Sequence, residues 1–260
     1  MRFRFLSVLA IAALPITAVA SGSLRVCADP NNMPFSNQRG EGFENKLADL
    51  IAAKMGARLE YTWWSERKSY VRNTLDQGRC DLLLGVPSSL DSVTASRPYY
   101  RSTYVFVSRH AADLHIASLA DPRFGNWRIG IQVVGDDYAP PAYALAHRGI
   151  TKNVTGFNLF GKYGEQNPSA KIIDAVEDGS IDVAIVWGPS AGYFAKLANV
   201  PLDIAPVSPP MFLAVPFTYD ISLGMRKGDE AFKQKLDGVL ESETGAIHQL
   251  LSDYGVPQLP

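Results

Sequence analysis

A segment that closes a helix and begins a buried strand occurs twice in this chain, and it constrains the fold more than any other feature. The first copy is residues 78–85 and the second, 101 residues later, is residues 179–186. Each copy has a glycine, an acidic residue three positions on and a continuous apolar run, as in a parallel strand covered on both faces. Two interpretations are open: two α/β lobes of similar topology, or a general preference of helix-to-strand turns for these residues.

Strand and helix patterns alternate around both copies, which predicts mostly parallel sheets with right-handed crossovers. Helices are expected at 43–55 before Gly56, after Ser65 up to Gly78, and after Asn167 up to Gly179. Two more amphipathic helices are expected near the end of the chain. The strands are predicted at residues 24–28, 59–63, 80–86, 127–134, 154–157, 181–187 and 221–225.

The last two helices need a sheet to cover, and the sheet of the first half is the unfinished one. Apolar or irregular segments at 103–107 and 206–217 connect the two halves. The prediction is an α/β fold of two lobes, each a mostly parallel sheet flanked by helices, with a cleft between them. The first lobe is discontinuous, residues 21–107 plus 217–260, and residues 108–216 form an inserted second lobe joined to it by two hinge crossings.

The first twenty residues have the pattern of a cleavable signal peptide. Arg2 and Arg4 precede an apolar stretch, and Ala18-Val19-Ala20 is a cleavage signal. A membrane anchor is the weaker interpretation, because Pro15 interrupts a stretch that is too short to span a bilayer, and no later segment is long enough. The chain has 25 basic and 26 acidic side chains, and losing two arginines takes its formal charge from −1 to −3. So small a charge with no basic cluster argues against nucleic-acid binding.

Cys27 and Cys80 are the only two cysteines. Export to an oxidising compartment favours a disulfide between them. Strand register argues the other way, because it places Cys27 level with Leu83 and Cys80 about 10 Å further down the neighbouring strand. A disulfide needs Cα atoms within about 7 Å. A bridge and a pair of small buried side chains are therefore both open.

Ligands of open α/β sheets lie beyond the carboxyl ends of the strands. The residues at those ends combine aromatic walls with a few polar groups, which is typical of a small-molecule site. Simpler roles are open for several of them: a surface Trp64, a helix-capping Asp136 or Asp137, and a solvated Arg97. The candidate ligand-binding residues are Asp29, Asn32, Phe35, Trp64, Ser88, Ser89, Arg97, Asp136, Asp137, Tyr138, Trp187, Ser190 and Tyr193.

Motifs that mark catalysis are absent from the sequence. It has no nucleophile elbow, zinc-protease motif, Walker A motif or glycine-rich dinucleotide motif, and its four histidines lack metal-ligand spacing. We therefore expect no metal, no cofactor and no enzymatic activity. Any catalysis would have to rely on acids such as Asp29, Asp136 or Asp137.

Several motifs resemble those of the type II periplasmic solute-binding proteins, which include the polar amino-acid receptors of ABC transporters. They are LRVCAD at 24–29, MPF at 33–35, GFE at 42–44, RPYY at 97–100 and GxxD at 179–182. The resemblance implies two lobes that close on a solute in the periplasm. The amino-acid receptors carry an arginine for the ligand carboxylate where this chain has 88–94 without one, and an acid for the amino group where it has Trp187-Gly188. An α-amino acid is therefore not the expected ligand.

Longer strings resemble a narrower group, the solute-binding-protein homologues associated with PQQ-dependent methanol and alcohol dehydrogenases. These strings are DPNNMPFSN at 29–37, YTWW at 61–64, VRNTL at 71–75, GRCD at 78–81, RPYYRSTYVF at 97–106 and VWGP at 186–189. The resemblance implies a periplasmic accessory protein whose partner is the dehydrogenase, acting in its maturation, activation or cofactor loading. An ABC-transporter receptor for another small solute is the alternative. A dehydratase-type enzyme on the same fold ranks third.

Overall fold

Eleven strands form one mixed β-sheet in the computed structural model, which describes residues 22–66, 69–134, 137–160, 165 and 167–260. The predicted signal peptide lies outside these residues. Two further pairs, β2 with β3 and β13 with β14, form small separate sheets. All strands of the described residues are β1 (Ser23–Ala28), β2 (Asn31–Asn32), β3 (Ser36–Asn37), β4 (Arg58–Trp63), β5 (Leu82–Pro87), β6 (Thr94–Ala95), β7 (Tyr100–Arg109), β8 (Ile129–Val134), β9 (Asp137–Tyr138), β10 (Val154–Asn158), β11 (Val183–Trp187), β12 (Leu202–Pro206), β13 (Met211–Phe212), β14 (Val215–Pro216) and β15 (Thr218–Met225). The helices are α1 (Phe43–Met55), α2 (Tyr70–Asn73), α3 (Pro141–His147), α4 (Lys171–Glu177), α5 (Gly188–Leu197), α6 (Glu230–Ser242) and α7 (Thr244–Asp253).

Strand β7 belongs to both halves of this sheet. Its residues 100–103 pair with β15, and its residues 104–109 pair with β11 and β12. On one side the order is β15-β5-β1-β4, with β1 parallel to both neighbours; on the other it is β10-β8-β11, all parallel. We call these sides, with their helices, the first and second lobes. The predicted α/β class is confirmed. The predicted mostly parallel pairing holds for the strands around β1 and β8, whereas β7 and β15 pair antiparallel with their neighbours.

Each lobe has apolar clusters on both faces of its half of the sheet. In the first lobe, α1, α6 and α7 cover one face, and Leu75 with the two cysteines lies on the other. In the second lobe, α3 packs on one face, and α4 and α5 pack on the opposite one. The lobe bounds at 107/108 and 216/217 stay a prediction. Within the described residues, no helix is both long enough and apolar enough to span a membrane.

Local sequence signals account for where the helices begin and end. Helix α1 begins where the side-chain oxygen of Asn45 accepts a hydrogen bond from the Gly42 N–H, and it ends at Gly56 in the left-handed region, at φ 62°. The helix expected from Ser65 to Gly78 is a single turn, α2. It stops at Thr74, whose hydroxyl donates to the Tyr70 carbonyl and competes with the backbone N–H for that acceptor.

Cys27 and Cys80 form a disulfide with their Cα atoms 5.5 Å apart. The predicted register is present, since Cys27 pairs with Leu83. The estimated separation of about 10 Å assumed an extended strand down to Cys80. Strand β5 begins only at Leu82, and the chain before it turns so that the Asp81 N–H donates to the Arg25 carbonyl. This turn brings Cys80 back to the level of β1.

Replacing both cysteines by alanine is expected to lower the free energy of unfolding by about 2–4 kcal/mol, because the bridge closes a long loop in the unfolded chain. The two positions are 53 residues apart. Urea unfolding of the wild-type protein and of the Cys27→Ala/Cys80→Ala variant measures the difference. A reducing agent should destabilise the wild-type protein and leave the variant unchanged; equal stability of the two oxidised proteins would contradict the prediction.

Candidate functional site

A cavity of about 470 Å³ lies between the two lobes, at the carboxyl ends of β5, β8 and β11. Both lobes contribute to its walls, which are mainly aromatic with a few polar groups. The aromatic residues are Phe35, Tyr100, Tyr104, Phe160, Trp187 and Tyr219. The polar residues are Asn32, Glu44, Glu66, Gln132 and Ser190.

Four residues predicted from sequence line this cavity: Asn32, Phe35, Trp187 and Ser190. Asn32 and Phe35 lie in the segment that follows β1, where β2 and β3 form a small antiparallel hairpin. Trp187 ends β11, and Ser190 lies in the first turn of α5. They meet because each follows a parallel strand at the same edge of the sheet.

Asp29 supports the site from behind. Its side chain is buried, and its two carboxylate oxygens accept hydrogen bonds from the backbone N–H groups of Asn31 and Glu66, each at 2.8 Å. A short carboxylate side chain after a strand commonly binds nearby backbone in this way. Asp29 therefore orients the segments that carry Asn32 and Glu66, and it is not among the residues that line the cavity.

Three other predicted residues of the first lobe also lie off the cavity. Trp64 is exposed because β4 is an edge strand, and Arg79 lies over its ring at 5.0 Å. The Ser88 hydroxyl bonds that of Ser222 at 2.7 Å, and Ser89 lies exposed in the same turn. The two serines lie off the cavity because the turn after β5 is bonded to β15, where the Ser88 hydroxyl contacts Asp220 and Ser222.

Arg97 lies on the outer side of the first lobe, where its backbone N–H donates to Asp237 and its guanidinium pairs with Glu241 at 3.3 Å. Helix α6 thus provides its partners, as expected for a surface arginine.

In the second lobe, Asp137 and Tyr138 form β9, which pairs with β8 and leaves both side chains exposed. Asp137 therefore does not cap a helix. Tyr193 stacks on Tyr254 at 5.7 Å and is not among the residues that line the cavity. Asp136 lies outside the described residues.

Sequence reasoning missed the two carboxyl groups of the cavity, Glu44 and Glu66. Glu44 is 6 % exposed and lies on the same row of α1 as the buried Ala48 and Ile51. A charged residue on a buried helix row is a signal of a special environment, because burying an unpaired carboxylate is costly. Glu66 lies beyond the end of β4, where the sequence offers no comparable signal.

Burial and neighbouring carboxyl groups raise the pKa values of both glutamates. Burial of Glu44 raises the pKa of its carboxyl well above the ordinary range, and neighbouring Glu66 adds to the effect. Burial, together with the Asp29 carboxylate, raises the pKa of Glu66 to about 8, although the Asn32 amide donates to its carboxyl at 3.1 Å. Near neutral pH the pair therefore retains protons that exposed glutamates would have lost.

Gly85 makes room for Glu44. It sits at φ 71°, and a Cβ atom built on it would lie 2.2 Å from Oε1 of Glu44. The sequence alone does not show that a glycine is needed here, because Gly85 lies inside an apolar run that is typical of any buried strand. Only a residue without a side chain lets β5 approach the carboxyl so closely.

Three buried polar atoms at the cavity have no hydrogen-bond partner among the described residues: Oδ1 of Asn32, Nε2 of Gln132 and Oγ of Ser190. The side-chain amide of Gln132 is oriented by its oxygen Oε1, which accepts a hydrogen bond from the Trp187 backbone N–H at 2.9 Å. Buried polar atoms in native proteins are normally satisfied by protein, water or ligand. The cavity thus offers an acceptor, a donor and a hydroxyl to a polar occupant.

No cluster of three or more histidine, cysteine, aspartate or glutamate side chains in the described part of the chain is arranged to hold a metal ion.

Known proteins with a similar sequence or structure share this architecture. The profile of the bacterial extracellular solute-binding proteins, family 3, matches residues 24–256. Protein MoxJ of Methylorubrum extorquens strain AM1 is 30% identical over 253 residues, 92% of this chain and 83% of that protein.

Two solved structures cover 91% of this chain. The periplasmic binding protein XoxJ from Methylobacterium extorquens AM1 is 36% identical with a TM-score of 0.74 and is covered over 99% of its length. MxaJ from Methlophaga aminisulfidivorans MPT is 27% identical with a TM-score of 0.80 and is covered over 100%. The resemblance inferred from the sequence strings is confirmed.

Substitution of Gly85 by alanine tests the close approach to Glu44. Gly56 has a similar φ of 62° with open space around it, so Gly56→Ala carries only the conformational cost of about 1 kcal/mol. Gly85→Ala should cost about 1–3 kcal/mol more, since the new methyl group overpacks the carboxyl. Urea unfolding of the two variants measures the difference, and equal costs would refute the predicted steric conflict.

Stability should fall as pH rises through the range in which Glu66 titrates. The unfolded carboxyl loses its proton near 4.5 and the folded one near 8, so the folded state binds more protons between those values. Urea unfolding across this range should show a decreasing free energy of unfolding, with a shallower decrease in Glu66→Gln. The exposed Glu230→Gln control should keep the wild-type slope; an unchanged slope in Glu66→Gln would contradict the assignment.

Proposed function

The chain belongs to the bacterial extracellular solute-binding proteins, family 3, and on this premise we propose that it is a non-catalytic periplasmic accessory protein of a PQQ-dependent methanol or alcohol dehydrogenase. The observation that carries the proposal is similarity to MoxJ over 92% of the chain. The sequence strings at the cleft that set this group apart from amino-acid receptors support it.

The cavity chemistry argues against the usual cargo of amino-acid receptors. No arginine or lysine is among the described residues that line it, and two glutamates are. The carboxylate of an α-amino acid would lose its charge-assisted hydrogen bonds, each contributing about 1.5–3 kcal/mol, and would lie near two acidic groups. A protein that keeps the receptor fold without the receptor clamp fits an accessory role.

The non-catalytic part of the proposal is supported by the positions of the acids that the sequence singled out. Both oxygens of Asp29 accept hydrogen bonds from backbone N–H groups, and Asp29 is not among the residues that line the cavity. Asp137 is exposed on β9, outside the cavity. Neither is placed to act as a base on a bound substrate.

An apolar surface of the second lobe is the natural place for a protein partner. Four of the eight large apolar side chains that are exposed in the described chain come from β9, α3 and the neighbouring β13 turn. They are Tyr138, Tyr143, Met211 and Leu213, with Leu213 76 % exposed. Clusters of exposed apolar side chains commonly mark protein contacts, and tyrosine and methionine are enriched there.

The test is association with the cognate dehydrogenase prepared without its cofactor. We expect the purified protein to bind it in native mass spectrometry and in pull-down, and to raise its activity or its rate of cofactor loading. Absence of both association and any effect on the dehydrogenase would overturn the proposal.

A pair of matched variants tests the surface. Tyr143→Ser should weaken the association about tenfold, as for a moderate interface hot spot. Leu197→Ser is the control, because Leu197 is also exposed but lies on α5, on the opposite face of the sheet. Equal affinities of the two variants would remove the surface assignment while leaving the dehydrogenase association in place.

A transport receptor for a solute other than an α-amino acid is the second candidate. The three unpartnered polar atoms at the cavity favour it, because a bound solute would satisfy them. Deletion of the gene separates the two functions: an accessory protein leaves inactive or unstable dehydrogenase behind, and a receptor leaves a transport defect with normal dehydrogenase.

A further inference from the structure

Two carboxyl groups, those of Glu44 and Glu66, line the cavity, and no arginine or lysine is among the described residues that line it. Glu44 is buried on α1, and no described side chain donates a hydrogen bond to its carboxyl group. Glu66 receives one such bond, from the Asn32 amide. Ionised carboxylates in a low-dielectric site repel each other, so a bound cation would favour the ionised forms of both groups and be stabilised by them.

Unpartnered polar atoms at the same cavity are a second, independent sign of an occupant. Asn32, Gln132 and Ser190 are at most 5 % exposed, and each has an atom with no partner in the described structure. The Asn32 oxygen is oriented as a free acceptor because its amide nitrogen is used by Glu66. Together with the carboxyls, it offers acceptors to several N–H donors of one ligand.

Aromatic rings complete the site. Tyr104 packs edge-on against Trp187 at 5.3 Å, and Trp187 in turn against Tyr219 at 5.8 Å. Faces of tryptophan and tyrosine attract organic cations, and the attraction grows as the site is desolvated.

We propose that the cavity binds a small organic cation that carries no carboxylate, with Glu44 and Glu66 as its counter-ions, the aromatic rings around its apolar part and the Asn32 oxygen as a further acceptor. A volume of about 470 Å³ suits a ligand of this class. The inference deepens the proposed function and rests on it. It also means that any help in cofactor loading does not come from holding PQQ, a tricarboxylic acid, in this cavity.

Three compounds of nearly the same shape test the charge preference: benzylamine, benzyl alcohol and benzoate. Isothermal titration calorimetry near neutral pH should show binding of benzylamine, which is a cation at that pH. Benzyl alcohol should bind at least about tenfold more weakly than benzylamine. Benzoate should not bind. Benzoate affinity equal to or above that of benzylamine, or no binding of benzylamine at millimolar concentration, overturns the proposal.

Two variants separate charge recognition from simple loss of structure. Glu44→Gln and Glu66→Gln should each weaken benzylamine binding about tenfold or more and leave benzyl alcohol binding unchanged. Glu230→Gln, on the exposed face of α6, should match the wild-type protein. Binding of benzyl alcohol shows that the cavity is formed, so a variant that fails to fold would bind neither compound. If both variants bind benzylamine as tightly as the wild-type protein does, the proposal is contradicted.

Failure of the cation site and failure of the proposed accessory function give different experimental results. If the protein associates with the dehydrogenase but does not bind benzylamine, the cation site is wrong and the accessory role is still supported. Benzylamine binding without dehydrogenase association keeps the site and returns the protein to the transport-receptor candidate.

Discussion

The shared strand β7 is the element on which the arrangement of the site depends. At Thr103 and Tyr104 the strand changes partners from β15 to β11 and β12. The Thr103 hydroxyl and the Tyr104 N–H both donate to the Phe217 carbonyl, at 3.0 and 2.9 Å, so the two crossings are bonded to each other where the lobes meet. Residues four apart on a strand share a face, which is why Tyr100 and Tyr104 both reach the cavity from one strand.

Burial of two carboxyl groups opposes folding, and the structure shows how the fold accommodates them. Gly85 gives Glu44 the space that a side chain would occupy, and Asn32 donates to Glu66. The neighbouring Asp29 carboxylate makes this burial more costly, because its negative charge raises the pKa of Glu66 further. A core built for stability alone would replace Glu44 by an apolar residue, since an apolar side chain on this buried row would carry no desolvation penalty.

Much of the fold could be predicted from the sequence because its signals are local. Apolar runs and terminal glycines located α1 and the buried strands β5 and β11 within two residues. The disulfide geometry could not be obtained in the same way, because it depends on a turn at Cys80 that β-strand spacing does not describe. The length of α2 was also missed, since a hydroxyl-to-carbonyl bond within four residues decides it.

The candidate site was predictable only where it follows strand ends. Asn32, Phe35, Trp187 and Ser190 line the cavity, because loops after parallel strands converge at one edge. Tyr100 and Tyr104 lie inside a strand, and their role depends on the partner change of β7, a property of the assembled sheet. Ser88 also follows such a strand and was predicted to line the cavity, but it lies elsewhere because its hydroxyl bonds to Asp220 and Ser222 of β15.

The hairpin of residues 31–37 couples the cavity to the contact between the lobes. It belongs to the first lobe by chain order, yet Met33 is buried in the second-lobe cluster with Val105 and Ile172, and the Ser169 hydroxyl donates to the Met33 carbonyl at 2.9 Å. Burial of a methionine side chain contributes roughly 1.5–3 kcal/mol. Separating the lobes would expose the Met33 side chain and move Asn32 and Phe35 away from the second-lobe wall of the cavity at the same time. A ligand that binds only when these residues are assembled therefore stabilises the lobe contact, by an amount that grows with its concentration relative to its Kd, so occupancy of the cavity and the relative position of the lobes are thermodynamically linked.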